Sequence, residues 1–188
     1  QILDAATEVF AEKGFARATT KEIADRADVS EGTIYNYFES KLELLLGLSN
    51  RLVEMVPFDE FLDLAAFDSD DALRALLQFR YAFTCENEAT IRVISSEIMI
   101  NPAMATRYRE QLVVPLMDLI RDSMQARIEA GQLRPVDASS LSLFLSVIFA
   151  GTFVHFVLGD LQNKATWDEL SELIVGVFRD GVIASVEA

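Results

Sequence analysis

The chain of 188 residues contains little sulfur, little histidine and few turn-forming residues, and each shortage excludes a class of protein. A single cysteine, Cys85, cannot form a disulfide framework within the chain, and it fits a reducing compartment such as the cytoplasm. A single histidine, His155, cannot build a histidine-rich metal site. Eight glycines and four prolines are too few for a disordered or fibrous chain. We therefore expect a folded protein with no metal, no cofactor and no catalytic residues.

Positive charge is also scarce. Lysine and arginine total 16 against 30 aspartates and glutamates, and residues 1–47 carry five basic groups against nine acidic ones. This balance opposes nucleic-acid binding, because neutralisation of phosphates supplies much of the affinity. Four of the five basic groups nevertheless lie between Arg17 and Lys41, so local charge can differ from net charge. The chain starts at Gln1 within an apolar-periodic segment, so we expect residues before it, and a basic arm there would add positive charge.

Helical periodicity is the abundant signal. Hydrophobic residues make up 51% of the chain and recur at three- and four-residue spacings, and no segment alternates as a strand does. Side chains that suit helix N-caps mark the predicted starts, and Pro115 is expected to kink the longest helix. The pattern predicts an all-α fold of about nine helices. The predicted segments are 2–13, one after Thr19, 31–37, 41–56, a short one near 58–67, 70–85, 89–100, 102–131, 138–158 and one from Thr166 to about Ser185.

Residues 19–41 read as two short helices joined by a tight turn. Thr19 and Glu22 have the spacing of a capping box for the first helix, and Ser30 can cap the second. The small Ala24 allows the helices to cross closely, and Val29 can anchor the turn. The turn also needs a residue that tolerates positive φ, which Asp28 does more readily than most residues. This arrangement predicts a helix-turn-helix unit.

Residues 2–47 resemble the DNA-binding domain of the tetracycline-repressor (TetR) family of bacterial transcriptional regulators. Many family members have glycine where this chain has Asp28. The resemblance implies an N-terminal three-helix domain over 1–47 and a C-terminal helical domain for ligand binding and dimerisation over 48–188. It rests on Phe10-Ala-Glu-Lys-Gly-Phe15, Thr19-Thr20, Ile23-Ala24, Val29-Ser30, Gly32-Thr33-Ile34-Tyr35, Tyr37-Phe38 and Lys41.

The recognition helix is expected over about 31–37, in the major groove of DNA. Thr33, Tyr35 and Asn36 are expected to reach bases, and asparagine suits adenine. Hydroxyls and a cation resemble the family's phosphate contacts, and Gly32 permits close approach of the backbone. Both tyrosines could instead pack the small domain, and Glu31 should repel phosphate. The predicted DNA-binding residues are Thr20, Ser30, Gly32, Thr33, Tyr35, Asn36, Tyr37 and Lys41.

Residues 141–158 contain no aspartate, glutamate, lysine or arginine, and His155 is neutral. The segment is long enough to span a membrane. Polar residues such as Ser142 and Thr152 interrupt it, and burial on two sides explains an all-round apolar helix equally well. The resemblance implies that the last two helices pair with those of a second subunit, so we expect a homodimer and no membrane. The alternative is packing within one subunit. The predicted interface comprises Phe144, Ile148, Gly151, Leu170, Ile174, Val177 and Phe178.

The resemblance also implies an inducer pocket in the C-terminal domain. Aromatic and methionine side chains suit an apolar cavity with few polar anchors, although core packing explains each of them as well. Arg80 and Arg92 lie in apolar surroundings and could hold a carboxylate or phosphate. The predicted lining residues are Phe79, Phe83, Met99, Met104, Tyr108, Met117, Phe149, Phe153 and His155.

Together these features predict a cytoplasmic, ligand-responsive transcriptional regulator. The expected partners are a double-stranded DNA operator, a second copy of the chain and a small-molecule inducer of unknown identity. Repression released by the inducer is the expected mode. The alternative is an architectural or co-regulatory DNA-binding protein of the same fold without an inducer. An enzyme is disfavoured because helical carboxylates such as Glu86, Glu88 and Glu97 lack the Glu-x-x-His spacing of di-iron bundles.

Overall fold

The computed structural model describes residues 1–56 and 69–181, and no β-strand occurs in those ranges. The all-α prediction is therefore confirmed, while the predicted short helix near 58–67 lies outside the described residues. The helices are α1 (Ile2–Lys13), α2 (Thr20–Arg26), α3 (Glu31–Tyr37), α4 (Lys41–Glu54), α5 (Asp70–Glu86), α6 (Glu88–Ile100), α7 (Pro102–Tyr108), α8 (Val114–Glu129), α9 (Ala138–Leu158) and α10 (Lys164–Gly181).

Side-chain caps start most of these helices where the sequence predicts them. Thr19 forms the full capping box with Glu22 at the start of α2, and Ser30 Oγ accepts the Thr33 N–H at 3.1 Å. Helix α10 differs, because it begins at Lys164, before the predicted cap Thr166. Asn163 Oδ1 accepts the Ala165 N–H at 2.9 Å, so an equally good cap occurs earlier in the chain. The predicted end of this helix lies outside the described residues.

The helix predicted over 102–131 is interrupted before Pro115. Its first part, α7, ends at Tyr108, and a π-helical turn occupies Arg109–Val113 before α8 begins at Val114. Proline lacks a backbone N–H and cannot complete the regular ladder of hydrogen bonds. A π turn is one way in which a helix accommodates such an interruption.

The chain divides into two compact units, which consist of 1–56 with 87–113, and 57–86 with 114–188. In the first unit, Phe10, Ile34 and Leu44 are almost completely buried and share one apolar cluster with Ile94 and Met104. Helices α6 and α7 therefore complete the core beneath α1–α4. These contacts follow a different division from the functional boundary predicted at 47/48, because that prediction used only the extent of the motif.

In the second unit, α5, α8, α9 and α10 surround a separate apolar cluster. Leu77, Met124, Trp167, Val175 and Phe178 are the most completely buried members of this cluster. Burial of such side chains contributes about 1.5–3 kcal/mol each to stability. This cluster supports the surfaces of α9 and α10 that are described below.

Helix α9 is the candidate for a membrane span within the described ranges, with 21 residues and a mean hydropathy of 2.2. Length and composition alone are weak evidence, because a core helix of a soluble protein has the same properties. Leu141, Leu145 and Phe156 are buried in the cluster of the second unit. Other positions on the helix are exposed, so one face packs and another lacks a partner within the described residues.

Candidate functional site

The turn between α2 and α3 has the geometry that the sequence predicts. Asp28 has φ of 53° and is the non-glycine residue with positive φ in the described parts of the chain. The Val29 N–H donates to the Ala24 carbonyl at 3.0 Å and closes the turn. Ile23, Ala24 and Ile34 are buried, so both helices are fixed on the core of the first unit. These contacts hold α3 in one orientation and leave its opposite face in solvent.

That opposite face carries the residues predicted to contact bases. Tyr37 is 74% exposed and Tyr35 is 51% exposed, so neither ring fills the core of the small domain. Asn36 is also exposed, whereas Thr33 is partly buried, with its hydroxyl 2.8 Å from Ser30 Oγ. Ser30 therefore caps α3 in this state, and its predicted DNA contact stays a prediction. The structure brings one amide, two phenols and the Thr33 hydroxyl together on a single short helix, with the Ser30 hydroxyl at its N-cap.

The two glycines near this face have different steric requirements. A Cβ on Gly32 would meet only Ser30 Oγ, at 3.7 Å, which is an ordinary contact. A Cβ on Gly47 would approach Phe38 Cε1 at 2.9 Å and Leu3 Cδ2 at 3.3 Å. Packing therefore explains Gly47 but not Gly32. A helical glycine costs stability relative to alanine, so the exposed Gly32 requires a reason other than the fold.

Thr20, Glu31 and Tyr35 form a polar cluster that links α2 to α3. Thr20 Oγ1 donates to Glu31 Oε1 at 2.5 Å and lies 3.1 Å from the Tyr35 hydroxyl. Because threonine has a single hydroxyl proton, the Tyr35 hydroxyl must donate to Thr20 in this arrangement. One predicted DNA-binding side chain, Thr20, is therefore engaged with a carboxylate, and a second, Tyr35, is engaged with Thr20.

Lys41 makes internal contacts rather than facing solvent. Its ammonium group donates to the carbonyls of Phe15, Ala16 and Ala18, at 2.6, 3.3 and 2.9 Å. It also lies 4.5 Å from the centre of the Phe15 ring. These contacts use all the donors of the ammonium group and fix the segment between α1 and α2. The predicted phosphate contact would require these bonds to break, so the structure gives Lys41 a structural role.

Acidic partners neutralise two of the four other basic side chains in residues 1–47. Lys13 pairs with Glu22 at 2.6 Å, and this hydrogen bond lowers the pKa of Glu22. Arg26 pairs with Glu12 at 3.0 Å and with Glu8 at 2.7 Å, and its hydrogen bond lowers the pKa of Glu12. Ion pairs therefore cancel part of the local positive charge expected from the sequence, while Arg17 and Lys21 are exposed and form no ion pair with the described residues.

The predicted pocket residues are distributed over both units. Met99 is 86% exposed, whereas Met104 is fully buried in the core of the first unit with Tyr108 packed against the same cluster. His155 is exposed in the second unit, where its Nδ1 lies 2.8 Å from Asp160 Oδ2. The other predicted residues belong to the second unit, namely Phe79, Phe83, Met117, Phe149 and Phe153. Side-chain type alone does not distinguish methionines that fill different cores.

A narrow crevice in the second unit contains Phe153 and residues that the prediction missed. Arg80 lies 4.5 Å from the centre of the Phe149 ring and donates to the Phe149 carbonyl at 2.5 Å. Trp167 is 3% exposed, and its Nε1–H has no hydrogen-bond partner among the residues that the structure describes. A buried donor without a partner costs about 1–3 kcal/mol. In the sequence, the position of Arg80 in apolar surroundings is the signal that pointed to this crevice. The crevice is lined by Arg80, Tyr81, Thr84, Thr152, Phe153, Phe156 and Trp167.

The predicted dimer face is partly misplaced around its helices. Phe178 is 1% exposed, and its ring lies 6.2 Å from that of Phe144, so it belongs to the core of its own subunit and cannot contact a partner. Ile148, Leu170 and Ile174 also pack against this core, and Gly151 is partly buried. Phe144 and Val177 are exposed as predicted. The exposed apolar stripe comprises Leu143, Val147, Val154 and Leu158 on α9 and Leu173 and Val177 on α10.

These features define a helix-turn-helix protein with a second helical unit. Residues 2–48 match the family model described as "Bacterial regulatory proteins, tetR family". The chain is 30% identical to YvkB, an uncharacterised HTH-type transcriptional regulator of Bacillus subtilis, over 98% of this chain and 96% of that protein. The chain belongs to the TetR family.

Two further relatives extend the comparison. The HTH-type transcriptional activator FasR of Mycolicibacterium smegmatis is 32% identical over 72% of this chain and 64% of that protein. The structure of FadR from Bacillus subtilis in complex with stearoyl-CoA has a TM-score of 0.76 at 19% identity, and covers 96% of this chain and 97% of that one. The first supports a DNA-binding transcriptional regulator, and the second shows the same fold. Regulators of this family bind DNA and act as dimers.

Proposed function

We propose that this protein is a homodimeric, cytoplasmic repressor that binds an operator through α3 and leaves it when a small molecule binds the second unit. The exposed face of α3 carries this proposal. Tyr35, Asn36 and Tyr37 lie in solvent on a helix whose Ile34 is fully buried, so the helix is both fixed and accessible. A helix presented in this way suits the major groove.

The roles of the side chains follow from their chemistry. The Asn36 amide can form two hydrogen bonds with adenine, and Thr33 and Tyr35 extend the same base-reading face. Tyr37 and Thr20 supply hydroxyls for phosphate oxygens, which fix the register of the protein without reading sequence. Thr20 must exchange its bond to Glu31 for a phosphate when DNA binds. Gly32 allows the backbone of α3 to approach the groove, since a Cβ there would conflict with nothing inside the protein.

Dimerisation gives two recognition helices for two half-sites. The exposed apolar stripe on α9 and α10 supports this part of the proposal. Leu143, Val147 and Val154 recur at the three- and four-residue spacings of a helix face that packs against another helix. A large exposed apolar surface of this kind favours association with a second subunit.

A response to a ligand is supported by the FadR structure, which contains stearoyl-CoA in a protein of the same fold. For release from DNA, the ligand must bind the conformation that does not bind DNA more tightly than the one that does. The relative FasR is named an activator, so the direction of regulation has to be measured as well.

Selection from random double-stranded DNA at fixed salt, followed by affinity measurements on variants, tests the DNA-binding part. Asn36→Ala should change base preference at one position of each half-site, with a loss of about 1–3 kcal/mol at that base. Tyr37→Ala should weaken binding to all sequences. Gly32→Ala should stabilise the protein by about 0.5–1 kcal/mol yet weaken DNA binding. Gly47→Ala is the matched control, because its Cβ clash should destabilise the fold.

If Gly32→Ala, Asn36→Ala and Tyr37→Ala all leave DNA affinity unchanged, α3 does not read DNA. The ligand part needs the same operator complex titrated with stearoyl-CoA and with a panel of apolar metabolites. Release by at least one compound supports the proposed repressor. An operator complex that none of them affects favours the architectural or co-regulatory alternative.

A further inference from the structure

Among the described residues of the second unit, two buried polar side-chain atoms have no hydrogen-bond partner, and both lie on α10. They are Trp167 Nε1 and Ser171 Oγ, on residues that are 3% and 2% exposed. These residues are four positions apart, so both belong to the face of α10 that is directed into the core. Buried donors in folded proteins almost always have acceptors. The unpaired indole N–H is therefore a feature that packing alone does not explain.

The surroundings of Trp167 do not allow water to supply the missing acceptor. Its ring forms one wall of the crevice described above, and Tyr81 packs on it with ring centres 5.3 Å apart. The empty space between the described lining residues is about 180 Å³, but it is so narrow that no water molecule fits. Pockets that hold ligands usually measure about 300–1,000 Å³. The crevice is thus narrow and partly open to solvent, and it would have to widen to admit a ligand.

The groups that line the crevice favour one kind of occupant. Thr84 and Thr152 donate their hydroxyl protons to carbonyls one turn earlier on their own helices, at 2.8 and 3.0 Å, so their oxygens cannot donate to a ligand. The candidate donors are instead the Trp167 N–H and the cationic Arg80, since both residues line the crevice. Phe153 and Phe156 make the remainder of the wall apolar. A cation and an N–H donor in an apolar wall match an anionic acceptor attached to an apolar body.

We propose that this crevice is the closed form of a binding site for the carboxylate end of an amphipathic ligand, with Trp167 Nε1 donating to a carboxylate oxygen. This inference rests on the proposed ligand response of the second unit and names the chemistry that the unit recognises. Arg80 provides the positive charge beside the oxygen, and the apolar tail follows the phenylalanine side of the crevice. The carboxylate gains a hydrogen-bond donor that no water occupies, so the ligand does not have to displace a water molecule from it.

The chain contains one tryptophan, so its fluorescence reports on Trp167 alone. The intact protein is titrated with decanoate, with methyl decanoate and with decyltrimethylammonium. Decanoate should shift the tryptophan emission and bind at least about tenfold more tightly than the ester, because a charged acceptor forms the stronger hydrogen bond. The cationic probe should not bind at the site. Equal affinity for decanoate and its ester would overturn the assignment of a carboxylate.

Replacement of Trp167 with β-(3-benzothienyl)alanine removes the N–H and keeps the bicyclic shape, and binding is then followed by calorimetry. Without ligand this variant should melt at a higher temperature than the natural protein, because it buries no unpaired donor. It should also bind decanoate about tenfold more weakly. Ser171→Ala is the matched control, since it removes the other unpaired atom on α10 outside the crevice. That variant should also gain stability but bind decanoate normally.

Two further results would overturn this inference. One is unchanged decanoate affinity in the benzothienylalanine variant. The other is no change in tryptophan emission with saturating decanoate while the same sample still binds its selected DNA. The second result would leave the DNA-binding proposal intact, so failure of this inference is distinguishable from failure of the proposed function.

Discussion

Replacement of Lys41 with methionine distinguishes a structural lysine from one that contacts phosphate. Methionine keeps an unbranched apolar stem and removes only the ammonium group. In the structure this group donates to three carbonyls between Phe15 and Ala18. The variant therefore leaves these carbonyls without their donor and frees the segment that connects α1 to α2.

The expected loss of stability follows from these bonds. A hydrogen bond that involves a charged group contributes about 1.5–3 kcal/mol. The three bonds share one partly exposed ammonium group, so their contributions do not add fully, and we expect a total of about 2–3 kcal/mol. For a protein of this size each kcal/mol shifts the melting temperature by about 2–4 °C. Lys41→Met should therefore melt about 4–12 °C lower.

Urea unfolding measures the free energy, and the salt dependence of DNA binding separates the two roles. A lost phosphate contact would lower the slope of log K against log salt by about 0.9 and leave stability unchanged. Lys21→Met is the matched control, because Lys21 is exposed on α2 and forms no ion pair with the described residues. Its unfolding free energy should change by less than about 0.5 kcal/mol. If Lys41→Met unfolds as the natural protein does, the structural role is refuted.

The remaining predictions concern backbone strain, assembly and pH. Asp28→Gly should raise the free energy of unfolding by about 0.5–1 kcal/mol, because glycine adopts the positive φ without strain. Asp28→Asn removes the same charge and should raise it less. Equal urea midpoints for the two variants would exclude backbone strain at this position. Val147→Arg places a charge on the exposed stripe and should convert the dimer to a monomer in analytical ultracentrifugation. Ser139→Arg, on an exposed position outside the stripe, should not. A natural protein that is monomeric at micromolar concentration would refute the interface. Hydrogen bonds from Ser140 lower the pKa of Asp137 below its ordinary 3.8. The Asp137 carboxylate therefore stabilises the fold above its unfolded pKa, and this contribution is lost as the pH falls through the folded pKa. The free energy of unfolding should decrease below about pH 4, and Asp137→Asn should lessen that decrease. Identical acid-unfolding profiles for the two proteins would contradict this.

The predictable parts of the structure are those with local causes. Thr19, Ser30 and Ser40 each cap a helix, because a cap and its N–H partner lie three residues apart in the chain. The same locality explains the turn, in which Asp28 adopts positive φ between two helices that the sequence delimits. The missing N–H of Pro115 is also a local cause, and it indicated the interruption of the helix. It did not indicate that a π-helical turn would form there.

Other positions depend on contacts between distant parts of the chain, which the spacing of residues in the sequence does not reveal. Lys41 binds carbonyls 23 to 26 residues away, and carbonyls exist at every residue, so no motif identifies them as partners. Helix α9 is apolar on every side, so its sequence does not indicate which face packs within the subunit. Phe178 and Val177 are adjacent and equally apolar, yet the first is buried and the second exposed. Met104 likewise fills the first core, which only the three-dimensional arrangement reveals.

The ion pairs of the first unit change the expected source of DNA affinity. Lys13 and Arg26 pair with glutamates and Lys41 binds carbonyls, so among residues 1–47 only Arg17 and Lys21 are cations that form no ion pair with the described residues and remain exposed to phosphate. Neutral donors such as hydroxyls and backbone amides fix the register on DNA but release few counterions. The acidic Glu31 on the recognition helix opposes binding further. We therefore expect the affinity for DNA to depend on the fit of α3 to the bases of its operator. The affinity for the operator should then be much higher than the affinity for other sequences.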